Sequence, residues 1–278
     1  MRVAVVGHVE WIEFARVPEV PGAGAIVHAS ECWREPGGGG AVSAVQLAKL
    51  AGGALFVTAL GDDDVGREVA ATLPGLAAGL RLAVSWRSVA QRRGFAHVDA
   101  RGERTITVIG DRLGPYGDED LPWDELAGCD AVYLTAGDAA AVRRARAARV
   151  LVGTARALPT LAESGVALDA LVASANDTGE AYRTGDLDPE PALVVRTAGA
   201  AGGSWETAAG ERGEWTATPL PGPPDDAYGC GDSFAAGLTY ALAAAMQPAD
   251  ATRFAARCGA ACLTGRGPYS AQLTAQHL

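Results

Sequence analysis

A short stretch in the last quarter of the chain combines residue types that could perform chemistry. Gly229, Cys230 and Gly231 stand directly before Asp232, at the start of an apolar run that is typical of a helix. The first amides of a helix have no partner within it and lie at its positive end, so small residues there leave them open to an anion. A carboxylate beside a bound phosphate could deprotonate a hydroxyl that attacks it. Alternatively, Asp232 caps the helix and the glycines form its turn.

The elements that must position this stretch alternate between strands and helices. Apolar runs of strand length occupy residues 3–7, 54–60, 80–86, 130–137, 149–153, 169–174 and 192–199. Helical patterns occupy residues 41–50, 63–73, 142–149, 155–164, a segment after Asn176, 230–246 and 249–263. This alternation predicts an α/β fold with a mostly parallel sheet covered on both faces. Such sheets bind ligands beyond the carboxyl ends of their strands.

Two segments depart from this alternation and predict a second, smaller sheet. Residues 25–33 alternate like a half-exposed strand, and residues 92–110 form a hairpin around a turn at 100–103. We expect strands from about 8–34 and 91–110 to form a lid on a single α/β domain that spans residues 1–278. Because unpaired strand edges tend to find partners, we expect a homodimer joined through the two lids.

Composition narrows the function further. The net charge of −10 and the lack of a basic stripe argue against a nucleic-acid partner. No apolar run reaches the length of a membrane span, and the short apolar run at the N-terminus is too short for a signal peptide, which predicts a cytoplasmic protein. The only lysine is Lys49, at the solvent-facing phase of a predicted helix, so neither a P-loop nor Schiff-base chemistry is expected.

The glycine-rich stretch resembles a known family signature. The segment DDAYGCGDSFAAG is similar to the second signature of the ribokinase-like carbohydrate kinases, the PfkB family, which reads roughly D-T-x-G-A-G-D-x-F-x-x-G. Residues 36–69 are similar to the first signature, and GERTI and TAGAAG provide further matches in the right order. The resemblance implies a ribokinase-like three-layer sandwich: a mostly parallel central sheet flanked by helices, plus a small β-sheet lid. It also implies an ATP-dependent kinase for the hydroxymethyl group of a sugar or nucleoside.

Three sets of residues match the family's motifs. The anion hole for the transferring phosphate and the catalytic base correspond to Gly229, Cys230, Gly231 and Asp232. The pair of glycines that lets the sugar approach the backbone corresponds to Gly38 and Gly40, with Gly37 close by. The nucleotide side, with a motif that organises Mg²⁺ through water, corresponds to Thr197, Gly199, Gly202, Gly259, Asn176 and Glu180. In relatives, the residue matching Asp226 lies beside a monovalent cation such as K⁺.

Departures from the family pattern concentrate at the acceptor side. Val42 stands where the family usually has Asn. Ile12 is the nearest match to the position at which the family usually has a sugar-binding Asp, and Glu10 or Glu13 could substitute for that Asp. Because a hydroxyl without its partner is costly, these changes favour a deoxy sugar, a nucleoside or another acceptor with an apolar portion, bound near Trp11, Ile12, Phe14 and Val42.

Two further functions remain open from the sequence. Glu180 stands one residue further from Asn176 than in the family's N-x-x-E motif. This departure, together with those at Ile12 and Val42, would suit a ribokinase-like protein that binds or senses a ligand without catalysis. The β-α opening and the glycines at 37–40 would suit a dinucleotide-dependent oxidoreductase, although the chain lacks G-x-G-x-x-G directly after its first strand.

Overall fold

The computed structural model describes residues 1–277. Its strands are β1 (Val3–Gly7), β2 (Glu10–Arg16), β3 (Glu31–Gly37), β4 (Ala54–Gly61), β5 (Leu80–Arg87), β6 (Arg93–Val98), β7 (Arg104–Ile109), β8 (Ala131–Leu134), β9 (Val150–Thr154), β10 (Ala170–Ser174), β11 (Leu193–Thr197), β12 (Gly203–Thr207) and β13 (Arg212–Trp215). Its α-helices are α1 (Gly38–Ala51), α2 (Asp64–Thr72), α3 (Ala139–Ala145), α4 (Leu158–Ser164), α5 (Cys230–Ala243) and α6 (Pro248–Cys262).

Nine strands form the central sheet, in the order β13-β12-β11-β10-β9-β8-β1-β4-β5. Pairing is parallel from β5 to β11, and the antiparallel strands β12 and β13 complete one edge. Runs such as β1, in which every residue is buried, suit a parallel sheet covered on both faces. Helices α1, α5 and α6 pack on one face and α3 on the other, which gives the three-layer sandwich. None of the helices in residues 1–277 is long and apolar enough to cross a membrane.

The second sheet has four strands, in the order β3-β2-β6-β7, and we call it the lid. Its first strand pair differs from the sequence prediction. The strand predicted at 25–33 begins instead at Glu31, because β3 pairs residue by residue with β2, from Arg16 opposite Glu31 to Glu10 opposite Gly37. Residues 22–30 form a mostly exposed loop, so their alternating sequence has no buried face that would favour a strand.

The region after Asn176 also differs from its prediction. The expected helix is a single 3-10 turn, Thr178–Glu180, followed by an irregular segment up to β11. Glycines and prolines at 179, 185, 189 and 191 explain this, because both residue types oppose a continuous helix.

The prediction that Lys49 faces solvent is wrong. The C-terminal segment covers this side of α1, so Lys49 is half-buried and its Nζ donates to the carbonyl oxygen of Tyr269 at 2.5 Å. Burial lowers the pKa of Lys49. The neighbouring Gln46 likewise donates from Nε2 to the carbonyl oxygen of Leu273 at 2.8 Å. The apolar periodicity of the α1 sequence does not show that a segment from the C-terminal end of the chain covers this side of the helix.

The carboxyl ends of the parallel strands converge below the lid. The polar residues His8, Thr135, Thr154 and Thr197 stand at or just after the ends of four of these strands. Helix α1 begins at Gly38, directly where the lid strand β3 ends at Gly37. The fold therefore brings the lid, the strand ends and the first turns of α1 and α5 to one place.

Candidate active site

A cavity of about 340 Å³ occupies this place. Its lining includes six of the residues predicted from the sequence at or near the reacting groups: Glu10, Gly38, Glu180, Gly229, Gly231 and Asp232. Thr197, predicted on the nucleotide side, lines it as well. Residues that are 190 or more positions apart in the chain thus share one cavity.

The first turn of α5 opens directly onto the cavity. Gly229 is the N-cap, in the left-handed region with φ 82°, and no side chain caps the helix. Asp232 therefore does not act as the cap. At Gly231 a Cβ would meet no heavy atom within 4 Å, so packing within the protein does not require glycine there. The open space beside Gly231 leaves the unpaired first amides of α5 accessible to an anion.

Cys230 contributes only its backbone to this turn. Its Sγ lies 4.0 Å from the carbonyl oxygen of Asp226, and the residue does not line the cavity. Hydrogen bonding with Cys262, together with burial, raises the pKa of the Cys230 thiol. The thiol is therefore protonated and points away from the site of any transfer.

Asp232 has the properties of a general base. It is half-buried at the cavity wall, and its carboxylate accepts no hydrogen bond from residues 1–277. Burial raises the pKa of Asp232 to about 6, with Glu180 also raising it and Arg104 lowering it. At pH 7 the group is mostly ionised, with a proton affinity above that of an ordinary aspartate.

Strand ends near the lid supply further polar groups. The Nδ1 of His8 lies 3.4 Å from the Oγ1 of Thr135, and Nε of Arg92 donates to Oε1 of Glu10 at 2.7 Å. Burial, and then the positive charge of Arg112, lower the pKa of His8 well below its usual value. His8 is therefore a neutral hydrogen-bonding group beside Glu10.

The glycines at 37–40 divide into two roles. Gly38 and Gly39 line the cavity, and the amide of Gly38 donates to the Oη of Tyr228 at 2.9 Å. Gly37 and Gly40, both predicted at the substrate, do not line it. A Cβ at Gly40 would lie 2.5 Å from the backbone oxygen of His8, so this glycine lets α1 pack against the turn after β1.

Ile12 and Val42 are fully buried and do not line the cavity. Ile12 packs below Gly37, and Val42 packs against Gly229. The departures from the family pattern therefore lie beneath the glycine turns, where apolar packing accounts for them. The apolar part of the cavity wall comes from other residues, which are Ile106, Val108 and Val172.

A pair of carboxylates, those of Asp177 and Glu180, also lines the cavity. Arg156 binds Asp177 at 2.5 Å and Glu180 at 2.7 Å, and all three residues line the cavity. The 3-10 turn brings Glu180 to the wall in spite of its extra residue of spacing from Asn176. Asn176 itself does not line the cavity, and Asp177 does. Carboxylate oxygens suit Mg²⁺, which typically takes one or two of them plus phosphate oxygens, so this pair fits that ion.

A second cavity, also of about 340 Å³, adjoins the site on the far side of Thr197. The 3-10 turn Gly199–Ala201 forms one wall, and Trp215 and Ser204 form another. Gly202 has φ 89° and accepts the amide of Ala198 at 2.8 Å, which closes this turn. Its lining combines the apolar Trp215, Ala198 and Ala201 with the charged Arg196 and Glu214.

The predicted residues Gly259 and Asp226 also line neither cavity, and the same holds for Gly199 and Gly202. A Cβ at Gly259 would be 3.1 Å from the carbonyl oxygen of Cys230, so this glycine lets α6 approach α5. Asp226 is fully buried, and its two oxygens accept the amides of Tyr228 at 2.8 Å and Gly267 at 3.2 Å. Burial nonetheless raises the pKa of Asp226.

Sequence reasoning missed several lining residues. These are mainly polar groups at strand ends and four arginines: His8, Thr135, Thr154, Asp177, Arg92, Arg104, Arg112 and Arg156. The strand-end residues could have been found, because ligands of open parallel sheets bind beyond the carboxyl ends of the strands. The arginines come from separate loops and the lid, and nothing in their local sequence distinguishes them from surface arginines.

The fold is that of the ribokinase-like kinases. The structure matches a microbiome-derived acarbose kinase (TM-score 0.81, 20% identity, 99% of this chain and 96% of that chain). It also matches the ribokinase of Thermotoga maritima (0.76, 21%, 99% and 96%) and that of Arabidopsis thaliana, solved with ribose and ATP (0.73, 17%, 99% and 96%). No curated protein matches the sequence. The sequence profile described as pfkB family carbohydrate kinase matches residues 1–156 and 175–275, so the chain belongs to this family.

Proposed function

We propose that the protein is an ATP-dependent kinase that transfers the γ-phosphoryl group to a hydroxymethyl group of a sugar-like or nucleoside-like molecule. The observation that supports this most directly is the carboxylate of Asp232. It carries a raised pKa, accepts no hydrogen bond within residues 1–277, and lies beside the open first turn of α5. The Arabidopsis thaliana ribokinase of the same fold was solved with ribose and ATP, which supports the same pair of substrates in kind.

The chain's own residues can perform each step of such a transfer. Asp232 orients the acceptor hydroxyl and takes its proton as the oxygen attacks the γ-phosphorus. The amides at residues 229–231 hold the charge that develops on the transferring group. Mg²⁺, held by Asp177 and Glu180 directly or through water, would neutralise the phosphate oxygens of ATP. The second cavity would bind the adenine. A monovalent cation beside Asp226 would stabilise the loop that precedes α5.

The direct test is product formation across an acceptor panel. We expect ATP consumption that depends on one class of sugars, sugar derivatives or nucleosides, measured as ADP release and confirmed by mass spectrometry of the phosphorylated acceptor. Ligand-induced thermal shifts without any product would contradict the kinase and favour the non-catalytic binding protein.

The pH dependence of kcat/KM for the acceptor should report the pKa of Asp232. Because this pKa is raised to about 6, the base is protonated over a wider acid range, and kcat/KM should fall below about pH 6, by roughly tenfold per pH unit. Arg104 lowers this pKa through its charge, so Arg104→Gln should move the acid limb to higher pH. Arg93→Gln, on the opposite face of the lid, is the control. An acid limb unmoved by Arg104→Gln would contradict the assignment.

Replacing Gly231 by Ala tests the open turn. We expect the fold to be retained, because a Cβ there meets no heavy atom within 4 Å and alanine favours a helix. The methyl group would occupy the space proposed for the transferring phosphate, so kcat should fall by at least roughly tenfold. Unchanged kcat at unchanged melting temperature would place the phosphate elsewhere.

The remaining expectations concern assembly and location. The edge strand β7 is exposed along its whole length, with Ile109 49% exposed, which favours a homodimer through the lid. A monomeric mass in light scattering at micromolar concentration would contradict this. All five cysteines are unpaired, as is usual in a reducing compartment, and we expect a cytoplasmic protein.

A further inference from the structure

We propose that the phosphate acceptor of this protein carries an anionic group, a carboxylate or a phosphate monoester, which the guanidinium of Arg112 binds. The proposal rests on the kinase function proposed above and narrows its substrate class. It also departs from the neutral, partly apolar acceptor that the sequence favoured.

Two of the four arginines that line the cavity have carboxylate partners. Arg92 donates to Glu10 at 2.7 Å. Arg156 binds Asp177 at 2.5 Å and Glu180 at 2.7 Å. These two arginines therefore already have carboxylate partners.

The other two arginines of the cavity wall differ in surroundings. Arg104 also has no ion pair within residues 1–277, but it is exposed on lid strand β7, where water compensates its charge, and that charge acts on Asp232. Arg112, in the segment after β7, is half-buried, and no hydrogen bond or ion pair joins it to any group in residues 1–277. Burial, and then the positive charges of Arg92 and Arg156, lower its pKa.

A partly desolvated cation beside other cations is costly unless an anion compensates it. Guanidinium groups present a fork of donors that matches carboxylate and phosphate oxygens bidentately. Arg112 therefore has the chemistry of an anion-binding residue whose partner is not part of the protein.

The position of Arg112 points to the acceptor rather than to ATP. Arg92 is the charged group that acts most strongly on Arg112, and it pairs with Glu10. Glu10 and His8 both pack around Gly38, on the acceptor side of the cavity. The proposed sites for the phosphates and adenine of ATP are the first turn of α5 and the cavity beyond Thr197. The lid side chains Ile106 and Val108 would cover the carbon chain between the anionic end of the acceptor and its reacting hydroxyl.

The experiment compares matched acceptors on the wild-type protein and variants. Each neutral sugar is assayed beside its aldonate and its phosphate monoesters, for example glucose with gluconate and fructose with fructose 1-phosphate and 6-phosphate. We expect an anionic member to have the highest kcat/KM. Arg112→Gln should lower that value by about 10- to 100-fold through KM for the acceptor, with the KM for ATP within about twofold of wild type. Arg93→Gln, which removes an exposed arginine from the other face of the lid, should leave both constants unchanged.

The outcomes separate the two proposals. A preference for aldonates or for phosphate esters identifies which anion is bound. If the protein phosphorylates neutral sugars and Arg112→Gln does not change that activity, the anionic acceptor is overturned and the kinase function is retained. The same conclusion follows if Arg112→Gln raises the KM for ATP and not the KM for the acceptor. Arg112→Lys is the conservative variant and should retain part of the affinity for the anionic acceptor. The melting temperatures of both Arg112 variants show whether a loss of activity reflects misfolding. If no acceptor is phosphorylated, the kinase fails, and calorimetric titration with the same pairs still tests the anion site.

Discussion

Asp232→Asn is expected to lower kcat by about 10²- to 10⁴-fold while ATP still binds. The amide has nearly the same shape as the carboxylate, so the cavity and the first turn of α5 should be preserved. It cannot take a proton from the acceptor hydroxyl, and the loss corresponds to about 3 to 5 kcal/mol of barrier. Steady-state ADP release measures kcat, and calorimetry of ATP binding measures the nucleotide site separately.

Asp250→Asn is the matched control for this variant. Asp250 is likewise an acidic residue in the first turn of a helix, α6, but it is exposed and pairs with Arg253 at 2.8 Å. This change should leave kcat at the wild-type value. If Asp232→Asn retains turnover, or lowers the melting temperature with little effect on kcat, Asp232 serves the structure and not the chemistry.

Gly40→Ala is expected to destabilise the fold strongly. A Cβ there would lie 2.5 Å from the backbone oxygen and 2.8 Å from the amide nitrogen of His8, and backbone atoms cannot rotate away. Alanine normally stabilises a helix by up to roughly 1 kcal/mol relative to glycine, but the steric cost should exceed this gain. We expect a net loss of about 3 kcal/mol and a melting temperature roughly 10 °C lower, measured by calorimetry.

Gly39→Ala provides the contrast one residue earlier. Its Cβ would first meet the Oδ1 of Asp232 at 3.0 Å, the end of a side chain that can move. We expect near wild-type stability with reduced kcat, because the methyl group displaces the proposed base. Equal melting temperatures for Gly39→Ala and Gly40→Ala would contradict the division of the glycines into cavity and packing roles.

Most of the central sheet could be predicted because its information is local. Fully buried strands such as β1 are continuous apolar runs, and the strand and helix periods alternate visibly along the chain. The lid could be located only approximately, because its strands are defined by pairing. The segment at 25–33 alternates in sequence, yet only the part from Glu31 onward has a partner in β2.

The candidate site divides in the same way. The turn at Gly229 to Asp232 was recognisable because its glycines, its helix and its carboxylate are contiguous. The cation network was not, because it depends on contacts such as Arg92 with Glu10, which are 82 residues apart. Val42 and Ile12 were assigned to the acceptor by their position in a motif, although burial beneath the glycines decides their role.

The backbone passes from lid strand β3 into helix α1 without an intervening loop, at Gly37 and Gly38. The connection from β5 to lid strand β6 is fastened by Gln91, which donates to the carbonyl oxygen of Val9 at 2.8 Å and accepts the amide of Gly61 at 2.9 Å. A change in the angle of the lid would therefore be transmitted directly to the backbone at Gly37 and Gly38, and Gly38 lines the cavity. The angle of the lid and the shape of the cavity at Gly38 would change together. A molecule bound against Gly38 would therefore favour one orientation of the lid relative to the central sheet.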